Sequence, residues 1–489
     1  MVLDEAQENI SQDSRGGEAC SPAPQTNDSA LQDSHPPIVI LKFGGTSVGS
    51  AAGRSALCQR VGEQRAAGKT PVVVVSAMGR RGDPYATDTL LDLVATENIT
   101  PEERDLLAST GEVISAVVVA SQLRASGIPA EALTGASAGI LTDETPQAAT
   151  IQQVMTAPLL ARIDEGCVPV VCGFQGMSPS GHVTTLGRGG SDTTASALGV
   201  ALAAQSVVIY TDVDGVMSAD PRVVADAQVI DTIRADELFQ MAQMGSKVIH
   251  TPAAELALAS GVSLLIKNTY SDHPGSQVAD ITAYRPGALA TAIASTHDVC
   301  RFAIALGDGE GGGRHLRTQT RIYQRLARAQ VSLDLFTPAK DTLYFTVACS
   351  DAPTVEDALG TQGDGCTVFA FANTVHPSPC VPPCVYTRQD GLAKVTVIGA
   401  GMHGVPGVMA RIATALEAED IDIFQVADSH NTISVLIAAE HEQPAVRALH
   451  AAFGLGTQGV GSAVFANMNT ADPTPCVPAD QTQEDRDHA

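Results

Sequence analysis

Residues 38–48 read IVILKFGGTSV, and residues 50–67, close behind them, are polar and rich in alanine. The run at 38–41 is short, apolar and largely β-branched, which is typical of a buried strand, and Gly44 and Gly45 interrupt the pattern. The alanine-rich segment has the composition of a helix. This stretch therefore predicts a strand, a glycine turn and a helix, with Lys42 close to the turn.

The same alternation of strand and helix continues along the first half of the chain. Apolar runs at 72–75, 168–172, 207–211 and 263–266 are separated by stretches of helical composition. Strands that alternate with helices favour a mainly parallel sheet with helices on both faces. The fold class predicted for this half is α/β.

A different pattern begins after about residue 285. Two units follow, one from residue 300 and one from residue 392, and each reads as a strand, a helix, a pair of strands and a second helix. This order is typical of small α+β domains of the ferredoxin-like type.

The charge of the chain argues against some classes of function. Lys and Arg number 29 against 54 Asp and Glu, giving a formal net charge of −25, which disfavours nucleic acid as a partner. No apolar run reaches the ~20 residues that span a bilayer, and the first residues do not resemble a secretion signal. We therefore expect a cytoplasmic protein with no membrane partner. The 10 cysteines contain no Cys-x-x-Cys pair, so we expect reduced structural thiols.

Three segments do not read as part of a packed core, and one of them, the repeat at 360–382, is an insertion within the first of the two α+β units. Residues 1–36 lack apolar periodicity and predict a disordered acidic leader. Residues 360–382 and 456–478 are copies of one another, with 15 of 23 positions identical. We interpret the copies as loop or tail segments, the second of which continues into an acidic tail.

Two glycine-rich turns carry charged residues that suit an anionic ligand. The first is KFGGTSV at 42–48, and the second is TTLGRGGSDTTA at 184–195, with Arg188 beside two glycines. Glycines let the backbone approach a phosphate, while helix-start amides and a nearby cation bind its oxygens. The alternative is an ordinary strand-to-helix turn, with Ser191 or Asp192 capping the helix. The P-loop pattern and the glycine pattern of protein kinases are both absent from the sequence.

Acidic residues follow a later predicted strand. The segment TDVDGVMSADPR at 211–222 contains Asp212, Asp214 and Asp220. Carboxylates at the carboxyl end of a parallel strand can bind Mg²⁺ or ribose hydroxyls. Asp and Gly are also common turn residues, so the pattern alone leaves both interpretations open.

These motifs together resemble the aspartokinase branch of the amino-acid kinase family. Further segments occur in the family's order over residues 38–455, namely SAMGRRGDPYATDTLL (76–91), GEVISA (111–116), TGASAG (134–139), GFQG (173–176), GSKVIH (245–250), GAGMHGVPGV (399–408) and ADSHNTI (427–433). The first and last of these are most similar to diaminopimelate-sensitive aspartokinases of the Bacillus type. The resemblance implies an amino-acid kinase αβα sandwich at 37–288 and two ACT domains at 299–386 and 392–455. The repeat copy and acidic tail at 456–489 have no counterpart in the family.

The resemblance also implies a reaction and its residues. It is the Mg²⁺-dependent transfer of the γ-phosphate of ATP to the β-carboxylate of L-aspartate, the first step towards lysine, threonine and methionine. A carboxylate is already ionised at pH 7, so no general base is needed and catalysis depends on positioning and on cations. The implied catalytic residues are Lys42, Arg188, Asp192 and Lys247. The implied nucleotide-binding residues are Lys42, Gly44, Gly45, Thr46, Thr211, Asp212, Met217, Asp220, Arg222 and Lys247. The implied aspartate-binding residues are Ser76, Thr87, Glu112 for the ammonium, Arg188 for a carboxylate, and Ser191.

Paired ACT domains imply regulation by an amino acid and assembly into a homodimer or larger homo-oligomer. The implied effector is diaminopimelate, lysine or threonine, and its implied ligands are Gly401, Gly404, Val405, Pro406, Asp428 and Asn431. The alternative for this part of the chain is a dimerisation module whose turn binds nothing.

Two alternatives for the whole protein remain. One is a kinase for another acidic amino acid, such as glutamate or N-acetylglutamate, which the TTLGRGGSD and GE sequences disfavour. The other is a catalytically silent amino-acid-sensing protein, which the presence of Lys42, Arg188, Asp192 and Lys247 disfavours.

Overall fold

The computed structural model describes residues 35–245, 254, 256–257, 259–279, 289–306, 314–360, 386–402 and 404–456. Residues 1–34 of the predicted leader, the repeated segments after Gly360 and Gly456, the acidic tail and Lys247 all lie outside these residues.

The first half of the chain contains two sheets and seven helices whose two ends are described, and residues 254, 256–257 and 259 are also helical. The strands are β1 (Ile38–Phe43), β2 (Thr70–Val75), β3 (Ala130–Leu133), β4 (Ile140–Thr142), β5 (Ile151–Val154), β6 (Val168–Cys172), β7 (Gln175–Met177), β8 (Val183–Thr185), β9 (Ser206–Thr211), β10 (Thr232–Arg234), β11 (Ser263–Asn268) and β12 (Ser276–Ala279). The helices are α1 (Gly45–Gly49), α2 (Ala51–Ala66), α3 (Thr87–Leu91), α4 (Pro101–Ala125), α5 (Ala157–Asp164), α6 (Gly190–Ala201) and α7 (Ala235–Gln243).

The main sheet has eight strands in the order β10-β12-β11-β9-β1-β2-β6-β3. All its described pairings are parallel except β11 with β12. Its central strands are buried on both faces, which explains why they read as continuous apolar runs rather than as alternating ones. A smaller sheet, in the order β5-β4-β7-β8, lies beside it in the same half.

Alternate residues of β1 point into two separate cores. Ile38 and Ile40 pack with residues of α5, α6 and α7, whereas Val39 and Leu41 pack with residues of α2 and α4. The main sheet therefore lies between two layers of helices, and the predicted αβα sandwich is confirmed.

Helix α4 is the one described helix whose length and apolar composition would suffice to cross a membrane. Half of its apolar window is buried inside the protein, where it packs on β3, β6 and β8. Its N-terminus has a capping box between Thr100 and Glu103. These contacts identify α4 as a core helix of the sandwich.

The second half contains one six-stranded antiparallel sheet and four helices among the described residues. The strands are β13 (Ala292–Ala305), β14 (Asp334–Pro338), β15 (Thr342–Ala348), β16 (Tyr386–Ile398), β17 (Gln425–Asp428) and β18 (Thr432–Ala438). The helices are α8 (Arg314–Arg328), α9 (Ala352–Leu359), α10 (Val408–Glu417) and α11 (Glu442–Ala452). The strand order is β14-β15-β13-β16-β18-β17.

Two long strands, β13 and β16, are each shared between two ferredoxin-like units. The later part of β13 pairs with β15, and residues 299–304 pair with 386–392 of β16. Residues 292–296, at the start of β13, pair instead with 394–398 of β16, which also pair with β18. The second unit therefore takes one strand from residues that precede the first unit, and the domain limits 299–386 and 392–455 remain predictions.

The structure corrects the expectation for two cysteines. Cys300 in β13 and Cys349 just after β15 form a disulfide, so the prediction of reduced thiols is wrong for this pair. Cys58, Cys167 and Cys172 are free, as expected. The pairing lies wholly within the first ferredoxin-like unit.

Candidate active site

A cavity of about 540 Å³ opens at the carboxyl ends of β1 and β2, where α6 begins. In doubly wound sheets, ligands gather at this edge of the strands. Eight residues that the sequence predicts for catalysis or binding line the cavity, namely Lys42, Gly45, Ser76, Thr87, Glu112, Arg188, Ser191 and Asp192. These residues belong to motifs that are well separated in the sequence, and the fold brings them together at one site.

Lys42 is held at the cavity by Asp192. Strand β1 places Lys42 between Val74 of β2 and Ile209 of β9 in the sheet. Its Nζ lies 2.6 Å from Oδ1 of Asp192, in the first turn of α6, and only 12% of each side chain is exposed. The pair fixes a cation beside the start of a helix, where the helix dipole adds further positive potential.

The glycine turn after β1 permits a close approach between two loops. A Cβ at Gly45 would lie 2.6 Å from the carbonyl oxygen of Gly79 and 2.7 Å from that of Ala77. The Gly45 carbonyl accepts a hydrogen bond from the Gly79 N–H at 3.0 Å. A side chain at position 45 would push these loops apart, so glycine is required here for packing.

Glu112 presents an unusual carboxyl group to the cavity. The side chain is 3% exposed, and Oε1 accepts a hydrogen bond from the Ala77 N–H at 2.9 Å. Oε2 has no hydrogen-bond partner among the described residues. Burial raises the pKa of Glu112 to about 8, against the smaller opposing effect of the Ala77 bond. A ligand with a positive charge would complete this site.

Arg188 lies in another part of the cavity wall, in the turn between β8 and α6. Gly187 and Gly189 on either side have φ of 71° and 70°, a region that glycine adopts without strain. Arg188 is exposed and makes no ion pair within the described ranges. Its guanidinium is therefore available for an anionic group of a ligand.

The other described residues predicted to bind nucleotide are not in the wall of this cavity. Gly44, Thr46, Thr211, Asp212, Met217, Asp220 and Arg222 are absent from the lining. Arg222 pairs with Asp220 at 2.6 Å, and Met217 forms an isolated bridge with Val229. Asp212, just after β9, pairs with Arg80 at 3.1 Å, and Arg80 does line the cavity. These assignments remain predictions, as does that of Lys247.

Five charged residues of the cavity wall are not among those predicted from the sequence. They are Arg80, Arg81, Asp88, Arg104 and Asp105. Arg80 belongs to the SAMGRRGDP segment, whose paired arginines were a visible signal. Asp105 precedes Glu112 by seven positions, which places both on one face of a helix. That spacing was the signal that could have identified Asp105.

The residues predicted to bind an effector lie near the contact between the two halves of the chain. Gly401, Gly404, Val405 and Pro406 belong to the turn between β16 and α10, and Asp428 is exposed at the end of β17. Asn431 does not project freely, because its amide donates a hydrogen bond to Asp236 of α7 at 2.7 Å.

A second set of hydrogen bonds links the same turn to α7. The buried Glu237 accepts from the Ala400 N–H at 3.0 Å and from the Thr291 hydroxyl at 2.6 Å. Helix α7 ends at Gln243, and the GSKVIH segment that contains Lys247 begins two positions later in the sequence. The predicted effector turn is thus hydrogen-bonded to the helix that precedes this segment in the chain.

Comparison with known proteins identifies the family. Aspartokinase 1 of Bacillus subtilis is 40% identical over 425 residues, which cover 86% of this chain and 99% of that relative. The chain belongs to the aspartokinase family. The aspartokinase of Mycolicibacterium smegmatis is 36% identical over 432 residues, covering 86% of this chain and 96% of the relative. The amino acid kinase family model matches residues 37–268, and an ACT domain model matches residues 387–451.

Solved structures support the same aspartokinase fold. The R-state of E. coli aspartokinase III, in complex with aspartate and ADP, covers 85% of this chain with a TM-score of 0.64 and 24% identity. The aspartate kinase of Clostridium acetobutylicum covers 85% with a TM-score of 0.67 and 22% identity. The predicted family, fold class and enzyme class are confirmed: this aspartokinase is a kinase with a regulatory ACT region.

Proposed function

We propose that this aspartokinase transfers the γ-phosphoryl group of ATP to the β-carboxylate of L-aspartate. The observation that carries the proposal is the set of groups around one cavity. Lys42 stands at the glycine turn, Glu112 offers a buried oxygen without a partner, and Arg188 offers a guanidinium without a carboxylate among the described residues. A cation acceptor and an anion acceptor in one cavity are complementary to the ammonium and α-carboxylate of an amino acid.

The phosphoryl transfer requires the protein mainly to position aspartate and ATP and to stabilise charge, because no proton has to be removed from the nucleophile. An oxygen of the β-carboxylate forms a bond to the γ-phosphorus of ATP, the bond from that phosphorus to the bridging oxygen breaks, and ADP leaves. The nucleophile is ionised at neutral pH, so no proton is removed. Lys42 and the start of α6 would stabilise negative charge on the transferring group, and Asp192 would keep Lys42 in place.

Magnesium would accompany the phosphates of ATP, whose charge it neutralises during transfer. Three acids near the catalytic lysine and at the end of β9 already have partners within the described structure. Asp192 pairs with Lys42, Asp212 with Arg80, and Asp214 accepts hydrogen bonds from Asn268 and Ser271. This donor set suits an ion that is held mainly by phosphates and water rather than by a cage of carboxylates.

Trapping of the acyl phosphate tests the proposed reaction. With ATP, Mg²⁺, L-aspartate and hydroxylamine, the protein is expected to form aspartyl hydroxamate, measured by its ferric complex. Glutamate and N-acetylglutamate are the matched controls. A product from either of these at a rate equal to that with aspartate would favour the kinase for another acidic amino acid. No hydroxamate from any of the three would favour the silent sensing protein.

The pKa of Glu112 predicts how aspartate binding depends on pH. Because this pKa is raised to about 8, the carboxyl group is mainly protonated at pH 6, whereas an ammonium ligand requires the carboxylate. The KM for aspartate should therefore fall as pH rises from about 6 to 8, by up to about tenfold per pH unit. The matched variant Glu112→Gln should show a high KM that is flat over this range. A wild-type KM for aspartate that is constant from pH 6 to 8 would contradict this role.

We also propose that the ACT region senses an amino-acid end product, namely diaminopimelate, lysine or threonine. The predicted effector site is linked to α7 by two hydrogen bonds, from the Ala400 N–H to Glu237 and from the Asn431 amide to Asp236. A change at the effector site could therefore shift α7. Separate titration of the hydroxamate assay with each amino acid would identify the effector. An effector at the ACT region should leave the assay of isolated residues 37–288 unaffected, provided that this fragment folds.

Three further points extend the proposal. We expect a homodimer or larger homo-oligomer formed through the ACT region, where Phe336 is 60% exposed on the edge strand β14. We assign the product to lysine, threonine and methionine biosynthesis. We expect the enzyme to act in the cytoplasm, where ATP is available as its substrate.

A further inference from the structure

The buried carboxylate of Asp105 has no role in the mechanism described above. Asp105 lies in the second turn of α4, is 1% exposed and lines the cavity. No ion pair to it exists within the described part of the chain. A buried carboxylate without a cation is costly unless hydrogen bonds replace its water. The groups that donate hydrogen bonds to Asp105 therefore indicate its structural or functional role.

Both oxygens of Asp105 are occupied by donors from two loops. The Gln147 N–H donates to Oδ2 at 2.9 Å and to Oδ1 at 3.1 Å. The Thr185 N–H donates to Oδ2 at 2.9 Å, and the Thr185 hydroxyl donates to Oδ1 at 2.7 Å. With these donors in place, the Asp105 carboxylate has little remaining capacity to accept hydrogen bonds from a substrate. Its role is therefore to hold together the two segments that contain Gln147 and Thr185.

The two loops meet next to the turn that carries Arg188. Thr185 ends β8, three positions before Arg188, and its carbonyl accepts a hydrogen bond from the Ala149 N–H at 2.9 Å. Gln147 has φ of 64°, a left-handed conformation that is uncommon for a residue with a side chain. Its carbonyl oxygen would lie 3.1 Å from a Cβ at Gly187. Asp105 thus holds a strained residue against the turn that carries Arg188.

The same helix also carries Glu112. Asp105 and Glu112 are seven positions apart, two turns along α4, and both are buried on its inner face. One rigid helix therefore carries the group that would bind the ammonium and also the group that fixes the turn of the carboxylate-binding arginine. The separation of Glu112 and Arg188 is set through this helix.

We propose that Asp105 is a positioning residue that sets the distance between Arg188 and Glu112 and so determines aspartate recognition. The inference deepens the proposed function and rests on it. A purely structural role would instead lower stability and affect both substrates alike. The two roles can be distinguished because Asp105 accepts hydrogen bonds from Gln147 and Thr185, beside the turn of Arg188, and from none of the described residues predicted to bind nucleotide.

Two variants and one control test the inference. Asp105→Asn replaces one accepting carboxylate oxygen with an amide NH2 group that faces hydrogen-bond donors, and should raise the KM for aspartate about tenfold or more. Thr185→Val removes only the hydroxyl bond and should raise it about threefold. Both should leave the KM for ATP within twofold of wild type. Thr184→Val is the control: Thr184 is the adjacent buried residue, and the variant loses a buried hydroxyl bond to Thr142 rather than to Asp105.

A double-mutant cycle with Arg188→Ala provides the decisive measurement. If Asp105 acts through Arg188, then adding Asp105→Asn to Arg188→Ala should raise the KM for aspartate less than twofold further. Effects that multiply in the double variant would overturn the inference. So would an unchanged KM for aspartate in Thr185→Val, a variant that remains informative if Asp105→Asn does not fold. A wild-type enzyme that forms no aspartyl hydroxamate would instead overturn the proposed function itself.

Discussion

Replacement of Lys42 by alanine is expected to lower kcat for aspartyl phosphate formation by about 10³-fold, with a much smaller change in the KM for aspartate. Removing one preorganised group that stabilises charge in a transition state commonly costs 10²–10³-fold in kcat. Lys42 has the features of such a group, since it is 12% exposed and its Nζ is fixed 2.6 Å from Asp192. Measured rates of hydroxamate formation at saturating ATP and aspartate test the expectation.

Lys42→Arg should restore little of this activity. Arg keeps the charge, but its guanidinium is planar and larger than the ammonium group of lysine. The Lys42 Nζ lies between Asp192 and Gly44, and a Cβ at Gly44 would be only 3.7 Å from it, so this position is too compact for a guanidinium. Lys340→Ala is the matched control, because it removes an exposed lysine from the ferredoxin-like region and should retain full kcat. A Lys42→Ala enzyme within tenfold of the wild-type kcat would exclude Lys42 from the chemical step.

The glycine turn and Lys42 could be predicted from the sequence because their pattern is local. A buried apolar run, two glycines and an alanine-rich segment lie within 30 residues, and the structure has β1, α1 and α2 there. The grouping of Lys42 with Glu112 and Arg188 could be inferred only from the family resemblance. No periodicity relates positions 42, 112 and 188, since it is the strand order of the sheet that brings them to one cavity.

Three features could not be predicted because each depends on contacts that are distant in sequence. Residues 292–296 join the sheet of the second ferredoxin-like unit about 100 positions later. Cys300 and Cys349 pair across 49 positions, and cysteine connectivity does not follow from spacing. The motif predicts that Asn431 binds an effector, but it does not show that the Asn431 amide donates a hydrogen bond to Asp236 in the other half of the chain. In each case the contact depends on a second residue that is distant in the sequence, and the local pattern around the first residue does not identify it.

Replacement of Arg188 by alanine should raise the KM for aspartate about 100-fold while changing kcat at saturation by less than about fivefold. A hydrogen bond to a charged group contributes about 1.5–3 kcal/mol, and Arg188 would bind the α-carboxylate in both the ground state and the transition state. Arg81→Ala is the matched control. Arg81 lines the same cavity, but its guanidinium already pairs with Asp92 at 2.8 Å, so its loss should change the KM by threefold or less.

A substrate analogue separates this role from a general loss of positive charge. β-Alanine retains the ammonium and the reacting carboxylate of aspartate but lacks the α-carboxylate. The wild-type enzyme should prefer aspartate over β-alanine by about 10²-fold in kcat/KM, because β-alanine leaves Arg188 without its partner. In Arg188→Ala that preference should fall below about tenfold, whereas Arg81→Ala should keep it. If Arg188→Ala discriminates between the two substrates as well as the wild type does, then the α-carboxylate is bound elsewhere, and Arg80 or Arg104 in the same cavity becomes the next residue to replace.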